Sequence, residues 1–225
     1  MVVSTYQPYF APFPGFFAKA RQSDILVLMD SVQFPLGRGW LTRNRFKNDQ
    51  GTLWLTVPVW KKGLGFQKIS EVKICNEGKW NEKHLKSLKT AYQHAPFFEE
   101  HLDFLDMVFS GTFTKLLNLN LKILYYLMEC LDISTTVVLL SELGIEEKEP
   151  HLTVAVCEEL KATHFLSQVK PGKVLDTNLF ERAGIETLLF KYRPAVYPQL
   201  WGPFMSNLST FDLVFNCGPK AKSVL

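Results

Sequence analysis

Residues 2–30 read VVSTYQPYFAPFPGFFAKARQSDILVLMD, and this stretch decides how the fold begins. The β-branched run ending at Tyr6 and the apolar run DILVLMD read as two short strands. The segment from Pro14 to Arg21 between them reads as a helix. A strand, a helix and a second strand make a βαβ unit, the start of a parallel sheet. The connecting turn, Gln7 to Phe16, crowds three prolines and four aromatics into ten positions. In open parallel α/β sheets, ligands bind beyond the carboxyl ends of the strands. Gln7-Pro8-Tyr9 and Asp30-Ser31-Val32-Gln33 therefore open onto the same edge, which fixes where to look for a site.

Further along, TLWLTVPVW (52–60) and ISEVKI (69–74) alternate like half-buried strands, with KKGLGFQK between them as a hairpin loop. A helical block follows at 76–95, where Trp80, His84, Leu88 and Tyr92 recur at steps of four while Lys83, Lys86 and Lys89 line another face. Two more helices are expected at 98–109 and 113–131. The last third alternates again: TTVVLL, THFLS and IETLLF as strands, HLTVAVCEELKA and TNLFERAG as helices, the second stopped by Gly184. The expected fold is α/β, a mostly parallel Rossmann-like sheet in one domain over 1–225, with a helical insertion at about 80–131 and a small β-hairpin.

With 225 residues, 47% of them hydrophobic, and 18 phenylalanines, the chain can bury a sizeable core. The most apolar run, LLNLNLKILYYLMECL, carries two asparagines, a lysine and a glutamate, which reads as a buried helix and not as a transmembrane segment. The first residues lack the basic start and small-residue cleavage site of a secretory signal, which points to the cytoplasm. Cys75, Cys130, Cys157 and Cys217 lie far apart, without CxxC or histidine spacing, so neither a zinc site nor a disulfide framework is expected. A net charge of +3 is too small to make nucleic acid the partner. Its distribution is uneven: residues 31–70 hold seven cations (Arg38, Arg43, Arg45, Lys47, Lys61, Lys62, Lys68) against one acid, Asp49.

The segment SVQFPLGRGWLTRNRFK reads as an anion pocket. Guanidinium forks grip phosphate or carboxylate bidentately, and Gly37 and Gly39 let backbone approach a ligand. Arg38, Arg43 and Lys47 would hold phosphate; Tyr9, Phe10 and Trp40 would stack on a ring; Gln7 or Asn44 would orient an acceptor. Asp30 or His84 would take a proton. Lys170 and Lys173, flanking a Pro-Gly turn, could join the pocket, and Tyr197, Gln199 and Trp201 mark a polar-aromatic loop. No GxSxG, Walker loop, HExxH or GxGxxG is present, so those enzyme classes lack their signatures, and no cofactor is indicated.

In outline, the first βαβ unit resembles that of the adenylyl-transferring Rossmann-like enzymes exemplified by pantothenate synthetase. The positions of their HxGH tetrad read Phe13-Pro14-Gly15-Phe16 here, and only the glycine matches. Phenylalanine cannot stabilise charge developing on a nucleotide's phosphates as those histidines do.

Over nearly its full length the sequence closely resembles the WbqC-like family of bacterial proteins. The resemblance is carried by QPYFAPFPGFF, DSVQF, RGWLTRNRFK, GTLWLTVPV, WNEKHLKSLKTAYQHAPFF, YPQ and STFDLVFNCG. It marks Gln7, Pro8, Tyr9, Gly15, Asp30, Gln33, Arg38, Trp40, Arg43, Asn44, Trp80, Lys83, His84 and Tyr92 as motif positions. One departure is the loop after Ser167, where the family commonly shows a glycine-rich turn ending in Tyr-Leu and this chain continues to Val174-Leu175. Members lie mostly among genes for O-antigen and other cell-surface polysaccharides. That association implies an acyl- or aminoacyl-transfer step on a nucleotide- or lipid-linked amino sugar. A non-catalytic binding or scaffold protein of the same pathway and a degenerate nucleotidyltransferase are the alternatives, and a homo-oligomer is compatible with each.

Overall fold

A computed structural model of the chain describes residues 1–35, 37, 39–111, 113–168 and 176–225. Five short strands form a parallel sheet: β1 (Val2–Tyr6), β2 (Ile25–Leu28), β5 (Thr136–Leu139), β6 (His164–Ser167) and β7 (Glu186–Leu189). Their spatial order is β5-β2-β1-β6-β7. The chain thus builds outward from β1 on one side, returns, and builds outward from β6 on the other. The order reverses between β1 and β6, the switch point at whose carboxyl ends open α/β sheets bind ligands.

Alternation along the strands divides the core. Leu26 and Leu28 of β2 face a large cluster with Phe16, Phe17 and Ala20 of α1 (Pro14–Arg21), Leu127 of α4 (Leu116–Cys130) and Phe211 of α7 (Thr210–Cys217). Val3, Val27 and Phe165 face a second cluster with Val156 and Cys157 of α5 (Leu152–Glu159) and Phe180 of α6 (Thr177–Arg182). This period-two division is what a sheet covered on both faces requires. The α1 helix starts where Pro14 needs no backbone donor, and α6 ends at Gly184, whose φ of 71° suits a left-handed stop. The helices α2 (Trp80–Tyr92), α3 (Leu102–Val108) and α4 fill the connection between β2 and β5. A last short helix, α8 (Ala221–Val224), follows α7. No helix among the described residues is long and apolar enough to cross a membrane.

The hairpin differs from its expected place. Residues 52–60 form no extended ladder with 69–74; β4 (Gly51–Thr56) pairs antiparallel with β3 (Arg43–Asn48), a stretch read from sequence as part of an anion pocket. The turn between them is built locally: Asn48 Oδ1 accepts the Gln50 N–H at 3.1 Å, and Gly51 sits at φ 106°. Residues 69–71 form a single 3₁₀ turn, and one isolated bridge joins Val59 to Ile74. Helix α2 also begins later than expected, because Gly78 at φ 78° interrupts the helical backbone.

Candidate functional site

Just beyond the carboxyl end of β1 the turn 8–12 is braced from three directions. Asn120, on α4 and 1% exposed, donates from Nδ2 to the carbonyls of Pro8 (2.7 Å) and Leu41 (2.9 Å). Asn44, in β3, donates from Nδ2 to the carbonyls of Phe10 (3.1 Å) and Ala11 (2.6 Å), while its Oδ1 accepts the Arg45 N–H (2.8 Å). Backbone bonds from Phe10 N–H to the Trp40 carbonyl and from Thr210 N–H to the Pro12 carbonyl close it. Buried amides that satisfy two carbonyls each leave a loop little freedom, and Ala11 is held at φ 44°, an unfavourable region for a residue with a Cβ. Phe10 is thereby fully buried, whereas Gln7 and Tyr9 stay partly exposed at the rim.

Beneath the rim, Tyr6 ends β1. Its ring stacks on Phe16 at 4.4 Å, its hydroxyl donates to Gln168 Oε1 at 2.6 Å, and the Lys19 ammonium lies 4.5 Å from its centroid. Lys19 is 3% exposed and donates to the Thr5 carbonyl at 3.1 Å. Burial, with the Tyr9 phenol beside it, holds the Tyr6 hydroxyl well above its ordinary pKa, and burial raises Tyr9 too, so both are neutral donors. Gly15 is needed for packing: a Cβ there would lie 2.5 Å from the Phe13 ring and 2.6 Å from that of Tyr192.

The 40–44 segment extends this rim. Trp40 stacks on Trp54 with ring centroids 5.9 Å apart, and the Arg43 guanidinium lies 3.6 Å above the Trp54 ring. Both indoles are about two-fifths exposed. Among the described residues Arg43 forms no ion pair, and its buried Nε meets no acceptor. The turn that carries Gln7 and Tyr9 is thus joined to the 40–44 segment through the Phe10 N–H and the Asn44 amide, with Phe10 and Asn44 as supports, while Trp40 and Arg43 gather on Trp54.

The remaining expected residues stand apart from that rim. Both Asp30 oxygens accept from Ser141, from its N–H at 2.9 Å and its hydroxyl at 2.7 Å, tying the end of β2 to the turn after β5. Gln33 is exposed and its backbone bridges Lys68. His84 lies between Trp80 and Phe109, and its Nε2 is 3.0 Å from the Thr56 nitrogen and 2.9 Å from the Thr56 oxygen, pinning α2 to the end of β4. Burial lowers its pKa, with the Thr56 contact opposing, so the ring is neutral. Lys47 turns inward: at 2% exposure its ammonium donates to Gln199 Oε1 (3.1 Å) and the Pro203 carbonyl (2.7 Å). Arg38, Lys170 and Lys173 lie outside the described residues.

Two further features gather residues that the sequence marked singly, Tyr92 and Tyr197 in one and Lys83 and Trp201 in the other, in settings it did not show. Asp212, fully buried on α7, accepts the hydroxyl protons of Tyr92 (2.9 Å) and Tyr197 (2.8 Å), and Tyr92 in turn accepts the Lys47 N–H (2.9 Å). Burial raises the Asp212 pKa, while the two hydroxyls and the Lys47 charge pull it back. Asp212 within STFDLVFNCG and Asn120 within LLNLNLK are polar residues inside apolar helical runs, the signal that could have marked them. A cleft of about 620 Å³ lies between α2 and the hairpin, lined by Asn48, Leu53, Lys83, Lys86, Thr90 and Trp201 among others. The Trp201 indole N–H donates to the Ala91 carbonyl at 2.8 Å, which fixes the ring there.

As for chemistry, burial pushes the Cys157 thiol up to about 12 and the Cys130 thiol up to about 11, so neither supplies a thiolate near neutral pH. Among the described residues no group of three or more His, Cys, Asp or Glu side chains is placed to hold a metal ion. What the rim offers is an unpaired guanidinium, exposed aromatic faces, a carboxamide at Gln7 and a phenol at Tyr9. These are groups that bind and orient a ligand.

The model of the WbqC-like protein family matches residues 7–224. An uncharacterized protein of Mycobacterium tuberculosis, Rv1507c, is 31% identical over 225 residues, spanning 99% of this chain and 96% of that relative. No solved structure gives a significant match. On a family match of nearly the full length, the chain belongs to the WbqC-like protein family.

Proposed function

We propose that this protein is an acyl- or aminoacyl-type transferase acting on an amino sugar carried by a nucleotide or a lipid diphosphate, in the assembly of a cell-surface polysaccharide. The observation that carries the reading is Arg43: a guanidinium laid flat on Trp54, without an acid partner among the described residues, on the residue preceding the Asn44 that braces the turn after β1. A fork so placed suits a phosphate oxygen, and the neighbouring indoles suit a sugar or base ring. Gln7 and Tyr9 would orient the acceptor. Transfer would run directly while donor and acceptor are held together: the sugar's amine attacks the donor's acyl carbon, the bond from that carbon to the donor's leaving group breaks, and the amine proton departs with that leaving group.

One observation favours a second reading, a binding protein without turnover. The two candidate bases are already engaged by the fold, Asp30 by Ser141 and His84 by Thr56. Incubating the protein with a nucleotide-linked or lipid-linked amino sugar and acyl donors, with mass-spectrometric detection, separates the two. Transfer predicts an acylated sugar that disappears in Arg43→Ala; binding without product in the presence of all donors supports the second reading.

A further inference from the structure

The loop from Trp60 to Lys68, WKKGLGFQK, carries three large apolar side chains that the fold does not cover. Phe66 is 77% exposed, Leu64 51% and Trp60 45%. Single exposed hydrophobics are ordinary, but three within seven residues on one loop are not. The loop is shaped to present them: Gly63 (φ 78°) and Gly65 (φ 61°) flank Leu64 in a conformation that L side chains rarely adopt. It is also strapped to the stretch that follows β2. Phe34 N–H donates to the Gln67 carbonyl at 2.8 Å and Ile69 N–H to the Val32 carbonyl at 3.0 Å. The Lys61 ammonium lies 4.8 Å from the Phe34 ring centroid and 3.5 Å from the Gly37 carbonyl. Trp40, on that second segment, adds another part-exposed indole.

Within the loop itself the charge has one sign. Lys61, Lys62 and Lys68 lie in the loop, and no acid occurs from Gln50 to Ser70. The first to follow, Glu71, spends a carboxylate oxygen on the Lys68 N–H at 3.1 Å. Lysines beside exposed Trp, Leu and Phe match the two layers of an anionic bilayer surface: headgroup phosphates for the ammonium groups, the acyl boundary for Leu64 and Phe66, and the level between them for indoles. From this complementarity we infer that the loop docks the protein peripherally on a membrane leaflet rich in anionic phospholipid. Leu64 is an aliphatic tip with no face for base stacking, and lysine is a point charge and not a planar fork, so lipid fits better than nucleic acid. Docking stands on the loop alone. Its consequence, that the carrier is lipid-linked, rests on the transferase reading above.

Co-sedimentation of the full chain with vesicles tests docking without any substrate, so its outcome is independent of whether transfer occurs. Vesicles of phosphatidylcholine are compared with vesicles in which about a third of the lipid is phosphatidylglycerol, a content that raises the attraction felt by each lysine. The expected result is sedimentation with the anionic vesicles, weakened by salt, and little with phosphatidylcholine alone. Phe66→Ser with Leu64→Ser should lower the partition coefficient at least about tenfold, and Lys62→Glu about fivefold or more. These sites are exposed, so the variants keep the wild-type melting temperature; Phe66→Ser alone serves if the double variant does not. Failure of the wild type to sediment with anionic vesicles overturns the inference, as does sedimentation that neither change affects. Loop-dependent self-association or oligonucleotide binding in the absence of vesicle binding overturns it as well.

Discussion

Asn120 and Asn44 each hold two backbone carbonyls of the same neighbourhood, and through them the position of Gln7 and Tyr9 is set. Replacing Asn120 with Ala would leave the Pro8 and Leu41 carbonyls buried without that donor. A loss of about 2–6 kcal/mol is expected from the urea midpoint, at about 1–3 kcal/mol for each of the two orphaned carbonyls. Gly15→Ala would force its Cβ against the Phe13 and Tyr192 rings, so a lower melting temperature is expected, partly restored by adding Tyr192→Ala. No such rescue would mean that the clash is not the cause. At this scale the sequence was partly legible. Gln7 and Tyr9 follow the carboxyl end of β1, and Asp30 that of β2, as the order of strand and turn in the sequence implies, because strand-end logic depends only on chain direction. Lys47 was misleading, because nothing local shows that its ammonium turns inward to Gln199 and Pro203, more than 150 residues away in sequence.

The β3–β4 hairpin and α2 are joined by His84, and this joint makes stability depend on pH. Burial lowers the His84 pKa in the folded protein below its unfolded value of about 6.5, and His101 shifts the same way for the same reason. Below about pH 6.5 the unfolded chain therefore binds more protons than the folded one, and stability falls as pH falls. Asp212, raised by burial, acts in the opposite sense at lower pH, where the folded state protonates first. Melting temperatures should drop from pH 7.5 to about 5.5, and His84→Gln should flatten that drop while keeping an acceptor for the Thr56 N–H. An equally steep drop in His84→Gln would remove His84 from the explanation. The hairpin itself escaped the sequence because β3 turns polar residues inward: Asn44 and Lys47 are buried at 1% and 2% exposure. A strand whose inner face is partly polar lacks the apolar alternation by which strands are read.

Across the whole molecule, strand order β5-β2-β1-β6-β7 puts the switch point between β1 and β6. The parallel strands and most helices could be read from β-branched runs, helix periods and the Gly184 stop, since these signals are local. Which strand neighbours which could not, because pairing across 160 residues leaves no mark on either partner alone. The same holds for the cleft beside Trp201, assembled from α2, the hairpin and a loop over 100 residues later. If the rim around Arg43 holds the carrier's phosphate, changes in that cleft should act separately. Lys83→Ala with Lys86→Ala should leave binding at the rim within about twofold, as expected for sites that share no partners.

The most direct measurement is a calorimetric titration of the wild type and of Arg43→Ala and Arg43→Lys with an amino sugar on a nucleoside diphosphate and, in parallel, on a short polyprenyl diphosphate. Binding of at least one of them is expected. Affinity should fall about thirtyfold in Arg43→Ala, the loss of a charge-assisted pair worth about 2 kcal/mol, and less in Arg43→Lys. Absence of binding by both carriers, or an affinity that Arg43→Ala leaves unchanged, would contradict it.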